Sequence, residues 1–168
     1  MTRAEAPKGS TDDWFTPLRV FEEHQRRTGM KYAVDVTGHH EAPVSLAIGD
    51  WLSRSSLNEN VDWCPMAGSG VVWCNPPYSG IAPWVGKAVD QVAKHGLWVT
   101  MLLPSWTDRK WWQEHVEPFR DGHDVRGSVI CSTLHLPRFK FGYPGDPTGK
   151  LGMSPTFGCV LVDFWRDS

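Results

Sequence analysis

No run of this sequence is apolar for long enough to cross a bilayer, and its first residues show no charged start leading into an apolar segment. Neither a membrane span nor a secretory leader is read there, and an intracellular, cytoplasmic protein is expected. The four cysteines, Cys64, Cys74, Cys131 and Cys159, never form a CxxC pair. That argues against a zinc site or a disulfide framework and for reduced thiols. The H-E-x-x-H spacing is also missing, and the neighbours His39, His40 and Glu41 point different ways, so no metal is assigned. Positive charge is not in excess: 17 Lys and Arg against 19 Asp and Glu leave a formal net charge of −2. Any contact with nucleic acid must then be a local patch. No internal repeat or linker breaks the 168 residues, which suit one domain.

What the sequence does have is ten tryptophans, aromatic surface that serves either a core or the stacking of bases. Residues 1–13 are polar with Pro, Gly and Ser and read as a flexible arm, leaving 14–168 as the single domain. Thr16 followed by Pro17 predicts an N-cap and a helix over 17–28, closed by Gly29. KYAVDV (31–36) reads as a buried strand. Residues 39–70 predict a short helix, one strand and loops. GVVWC (70–74) is a second strand, and the apolar spacing from Ile81 to Val92 predicts a helix ended by Gly96. LWVTMLLP (97–104) has the unbroken apolarity of a strand covered on both faces. Asp108 is expected to cap a helix carrying Trp111, Trp112 and Val116. VRGSVICS, HLPRFKF and FGCVLVDFW then read as strands without helices between the last two. The pattern is an α/β sheet, parallel at first and antiparallel at its end.

Asn75, Pro76, Pro77 and Tyr78 directly follow GVVWC, at the carboxyl end of a strand, where open parallel sheets bind ligands. Asn75 offers an amide oxygen, and the prolines offer carbonyls with no N–H beside them, so two acceptors can converge on one NH2 group. Tyr78 adds a flat face for the ring bearing that group. Two acceptors gripping both N–H bonds favour the more nucleophilic nitrogen. The set therefore suits methylation of an exocyclic amine, with S-adenosylmethionine as the obvious donor.

With these pieces in order, the chain resembles the phage-type DNA adenine N6-methyltransferase (Dam) family from about Asp13 to Phe164. The likeness is carried by WFTP, VDVTG, VVWCNPPYSGIAPWVGKAV, MLLPSWTDRKWW, LPRFKFG and FGCVLVDF. VDVTG departs from the glycine-rich FxGxG turn usual in methyltransferases. The resemblance implies a reduced Rossmann-like methyltransferase fold with a mostly parallel central sheet and an antiparallel end. It further implies S-adenosylmethionine as donor, adenine N6 of double-stranded DNA as acceptor, base flipping into the Asn-Pro-Pro-Tyr site, and life in an infected or lysogenic bacterial host. Neither a membrane nor an obligate protein partner is expected. It puts Trp14, Thr16 and Pro17 in the wall of the cofactor pocket and Asp35 in the place of the first cofactor motif.

Asp50 is a candidate for the carboxylate that holds the cofactor's ribose or adenine. Arg138 and Lys140, joined by Arg109, Lys110 and Lys150, are candidates for phosphate contact, and the loop 142–156 for contact with the target. An Asn-Pro-Pro-Tyr sequence alone also occurs in enzymes that methylate a protein glutamine amide or an RNA base amine. A non-catalytic DNA-binding relic is the remaining alternative.

Overall fold

The computed structural model describes residues 10–64, 68–120, 129–150 and 155–167. Five strands form one sheet in the order β1-β2-β3-β5-β4, with β1 Val34–Asp35, β2 Val71–Cys74, β3 Trp98–Pro104, β4 Val129–His135 and β5 Cys159–Arg166. β1, β2 and β3 run parallel, and β5 is antiparallel to both β3 and β4, as the sequence predicts. The register sets Thr100 opposite Asp163 and Pro104 opposite Cys159. The start of β5 and the end of β4 therefore lie at the same edge as the carboxyl ends of the parallel strands.

Helix α1, Leu18–Thr28, buries Val20, Phe21 and His24 on one stripe and ends at Gly29, whose left-handed φ of 69° brings its N–H to the Gln25 carbonyl at 2.8 Å. It covers one face of the sheet: Phe21 packs edge-on against Trp73 of β2, and His24 reaches Asp163 of β5. Continuous burial along β2 and β3 requires cover on the other face as well. Helix α3, Ile81–His95, packs across β3, β5 and β4 through a stripe of helical spacing that includes Trp84, Val85, Ala88, Val89 and Val92. Two shorter α-helices among the described residues are α2 Pro43–Ile48 and α4 Lys110–His115.

Several local expectations are corrected. Pro17, not Thr16, takes the N-cap position of α1, and the Thr16 hydroxyl is buried without a partner among the described residues. Arg109 rather than Asp108 precedes α4. Among the described residues, the strand expected within 39–70 is a single bridge, Trp51 beside Asp35. Gly38 makes room for it, since a Cβ there would sit 2.2 Å from that of Trp51. KYAVDV contributes two strand residues only, and HLPRFKF leaves the sheet after His135, where Pro137 lacks the N–H a ladder needs. Of the expected arm, residues 1–9 lie outside the described residues, while 10–13 form a 3-10 turn. The first part of VRGSVICS and residues 151–154 of the loop 142–156 also lie outside them.

Candidate active site

β1 and β2 are parallel neighbours, so Asp35 and Asn75 leave the sheet at the same edge. Thr37 ties the two strand ends together. Its Oγ1 donates to Asp35 Oδ1 at 2.9 Å and accepts the Asn75 backbone N–H at 2.7 Å. Asp35 is buried, and its carboxylate also accepts the Thr37 N–H at 2.9 Å and the Ser45 hydroxyl at 2.7 Å. The carboxylate is thus engaged by protein donors.

Burial pushes the Asp35 carboxyl up to about 6 against its ordinary 3.8, the three hydrogen bonds offsetting only part of the cost of desolvation. Between those values the folded chain holds a proton that the unfolded chain has released. The contribution of this group is therefore fully present below about 4, falls as pH rises through the window, and is level above it. Asp35→Asn is expected to remove that fall, roughly 3 kcal/mol relative to the parent. Urea midpoints measured from pH 4 to 7 check it, and parallel curves for the two proteins would refute it.

The Asn75 side chain is half-buried, and its Nδ2 donates to the Trp14 carbonyl at 2.7 Å. A carbonyl only accepts, so this bond fixes which end of the amide is which and leaves Oδ1 as the acceptor. Pro77 O receives a long bond of 3.4 Å from the Gly80 N–H, whereas Pro76 O takes no backbone donor among the described residues. Asn75 lines a cavity of about 340 Å³ with Asp12, Asp13, Trp14, Phe15 and Arg54. The 3-10 turn of residues 10–13 straps that cavity. Asp12 accepts from the Ser79 N–H at 3.0 Å and its hydroxyl at 2.6 Å, while Arg54 pairs with Asp13 at 2.5 Å and also donates to the Asp12 carbonyl.

Tyr78 is buried, its hydroxyl donating to the Leu102 carbonyl at 3.3 Å. Trp14, Trp106, Phe141 and Phe157 surround its ring edge-on, with centroids at 5.9 to 6.4 Å. The open stacking face expected from the sequence is therefore enclosed, and two of its neighbours, Trp106 and Phe157, are only half-buried.

The structure brings together Trp14, Asp35, Asn75, Pro76, Pro77 and Tyr78, with Thr16 against a small void of about 20 Å³ that Asp35 and Asn75 also line. Pro17 starts α1 beside them. Asp50 stands apart: it is exposed, and only its backbone carbonyl, accepting from the Asp35 N–H at 3.0 Å, is tied to the site. Among the cations, Arg109 lies over the Trp106 ring at 5.0 Å and so borders the Tyr78 cluster. Arg138 donates to the Pro155 and Thr156 carbonyls and thereby holds the segment bearing Phe157. Lys110 pairs with Glu114 at 3.5 Å, and Lys140 and Lys150 are exposed.

Sequence reasoning missed Thr37, Asp12 and Arg54. Thr37 had a signal, since a hydroxyl two residues after a strand-end Asp forms an Asx-type turn. Asp12 and Arg54 meet partners far along the chain, which no local pattern announces.

The sequence matches the family described as DNA N-6-adenine-methyltransferase (Dam) over residues 3–125, most of the chain. The chain belongs to the Dam family. A DNA N-6-adenine-methyltransferase of Haemophilus phage HP1 is 29% identical over 112 residues, which are 66% of this chain and 60% of that protein. The chain thus matches less than two thirds of its phage relative. The fold is shared with a Pyrococcus horikoshii protein provisionally described as an RNA methyltransferase, at a TM-score of 0.52 and 13% identity over 100% of this chain and 94% of the other. A Rossmann-like methyltransferase architecture for this Dam-family chain follows. No helix among the described residues is long and apolar enough to cross a membrane.

Proposed function

We propose that this chain transfers a methyl group from S-adenosylmethionine to N6 of adenine in double-stranded DNA. The observation that carries this reading, beside family membership, is the Asn75 amide. Its Nδ2 is committed to Trp14, so Oδ1 is the atom left to accept an N–H from the substrate amine. Pro76 O, which takes no backbone donor among the described residues, is the second acceptor.

The cavity of about 340 Å³ is of a size usual for small-molecule sites, and its lining fits the donor. Trp14 and Phe15 offer aromatic surface to an adenine, and Arg54 and Asp13, paired with each other in the free protein, carry the charges that the donor's carboxylate and ammonium would meet. The bound cofactor would supply an electrophilic methyl group. The protein's own part is to grip both hydrogens of the amine, hold Asn75 through Thr37 and Trp14, and exclude water with its aromatic cluster. Asp35 acts through Thr37 rather than as a direct ligand. After transfer, the extra proton on nitrogen passes to one of the two acceptors and on to solvent.

An N6 amine stacked within a duplex cannot be gripped from two sides, so the target base rotates out. Trp106 and Phe157, half-buried against Tyr78, are the rings that would give way for it. Tyr78→Phe is expected to be nearly silent, while Tyr78→Ala lowers turnover about tenfold, the equivalent of one stacking contact. Methylation rates of both variants, in protein shown to be folded, check this; equal damage in the two would give the hydroxyl the larger part. The function itself is tested by supplying labelled donor with DNA, RNA and a glutamine peptide, and by modification-sensitive sequencing of DNA from expressing cells. Label on RNA or peptide alone would overturn the proposal.

A further inference from the structure

A second cleft lies on the α1 face of the sheet, between that helix and the segment that follows β4. It encloses about 210 Å³, and its floor is apolar, built from Val20, Leu136, Phe139 and Leu161. His24 lines it too, only 4% exposed. The His24 ring is held by Nε2, which meets Asp163 Oδ2 at 2.9 Å. A carboxylate only accepts, so Nε2 carries a hydrogen, and Nδ1 of the neutral ring is a lone-pair acceptor. That Nδ1 atom is buried with no hydrogen-bond partner among the described residues. A buried polar atom left unpaired costs about 1–3 kcal/mol, and here it belongs to a residue lining a cleft large enough for a ring. At the mouth, Arg19, Glu23 and Arg27 follow one another at helical spacing, leaving the rim with one net positive charge.

An apolar slot, an unpaired ring nitrogen buried in the histidine that lines it, and guanidinium groups at its rim match the parts of a nucleotide: a flat ring, an amino or imino N–H on its edge, and a phosphate. We propose that this cleft is a second nucleotide-binding site, distinct from the cavity at Asn75. The two are neighbours. Phe139 contacts Phe141 at 4.9 Å between centroids, and Phe141 stacks at 4.8 Å on Trp14, whose carbonyl holds Asn75. A nucleotide in the cleft can therefore belong to the DNA whose adenine is methylated, a source that rests on the function proposed above, or it can be free.

The test uses the full chain with nitrogen-labelled histidine and follows the Nδ1 resonance of His24. It is titrated with deoxycytidine monophosphate, deoxyadenosine monophosphate, inorganic phosphate and a short adenine-containing duplex, the last also assayed for methyl transfer. Both mononucleotides are expected to move the resonance at millimolar concentration, and inorganic phosphate to do so at least about tenfold more weakly. Arg19→Ala with Arg27→Ala, both exposed, should weaken the mononucleotides about tenfold, and Leu136→Trp should abolish the response by filling the slot. A shift with the duplex assigns the site to DNA, and a shift with mononucleotides only assigns it to free nucleotide. No shift with any nucleotide, or a response to phosphate equal to that for nucleotides, overturns the site. An unmoved His24 in an enzyme that methylates the duplex sinks this inference alone; a moved His24 with no methyl transfer sinks the proposed function alone.

Discussion

Asn75→Ala is expected to fold, to bind cofactor, and to turn over about a hundredfold more slowly than the parent. The variant loses two bonds of different kinds. The first, Nδ2 to the Trp14 carbonyl, is structural, and its loss costs on the order of 1 kcal/mol of stability. The second, under the proposed function, forms only with substrate: Oδ1 accepting from an amine whose nitrogen is becoming tetrahedral. A preorganised polar contact that strengthens in the transition state is worth on the order of 3 kcal/mol, hence the rate effect. Because the Asn75 backbone N–H remains on Thr37, the strand end stays in place. Single-turnover methylation, with cofactor affinity by calorimetry beside it, separates the two losses, and turnover near the parent's would remove Asn75 from the chemistry.

Asp163→Ala is expected to cost several kcal/mol of stability, because each buried donor it strands costs about 1–3 kcal/mol. Asp163 is 4% exposed, yet it accepts from His24 Nε2 at 2.9 Å, Trp98 Nε1 at 3.1 Å and Thr100 Oγ1 at 2.5 Å. The Tyr32 hydroxyl extends the chain, 2.6 Å from Thr100 Oγ1. Alanine would leave three donors facing a void in the middle of the sheet. Asp163→Asn keeps the shape but turns an NH2 group toward donors, and should fall between. Urea unfolding measures both, and a loss below about 1 kcal/mol for the alanine variant would mean that the donors find other partners.

The elements easiest to read in the sequence were those with one dominant local signal. β3 is an apolar run long enough to be covered on both faces, and α3 has helical apolar spacing ended by Gly96 in a left-handed turn. The antiparallel end was legible because no helical segment separates the last apolar runs. Failures came where a distant partner decides. Trp51 pairs with a single residue of β1, and Arg138, expected on a strand, spends its guanidinium on the Pro155 and Thr156 carbonyls. In the site, the position of Asn75 to Tyr78 at a strand end was readable. That Trp14 would orient the amide, and that Phe141 and Phe157 would close around Tyr78, was not, since those contacts join residues 61 or more positions apart.

β5 lies between β3 and β4 although it follows both in the chain. While the polypeptide is being synthesised, β3 and β4 must therefore wait with open edges for a strand not yet made, and His24 and Thr100 wait for Asp163. Long-range pairing of this kind is slow, and unpaired apolar edges invite aggregation. The nascent chain can complete its sheet only after residues up to Arg166 have left the ribosome, so both the edge that carries Asn75 and the α1 cleft mature late. Slowing translation upstream of β5 should thus lengthen the exposure of the half-made sheet and lower soluble yield, rather than help it fold.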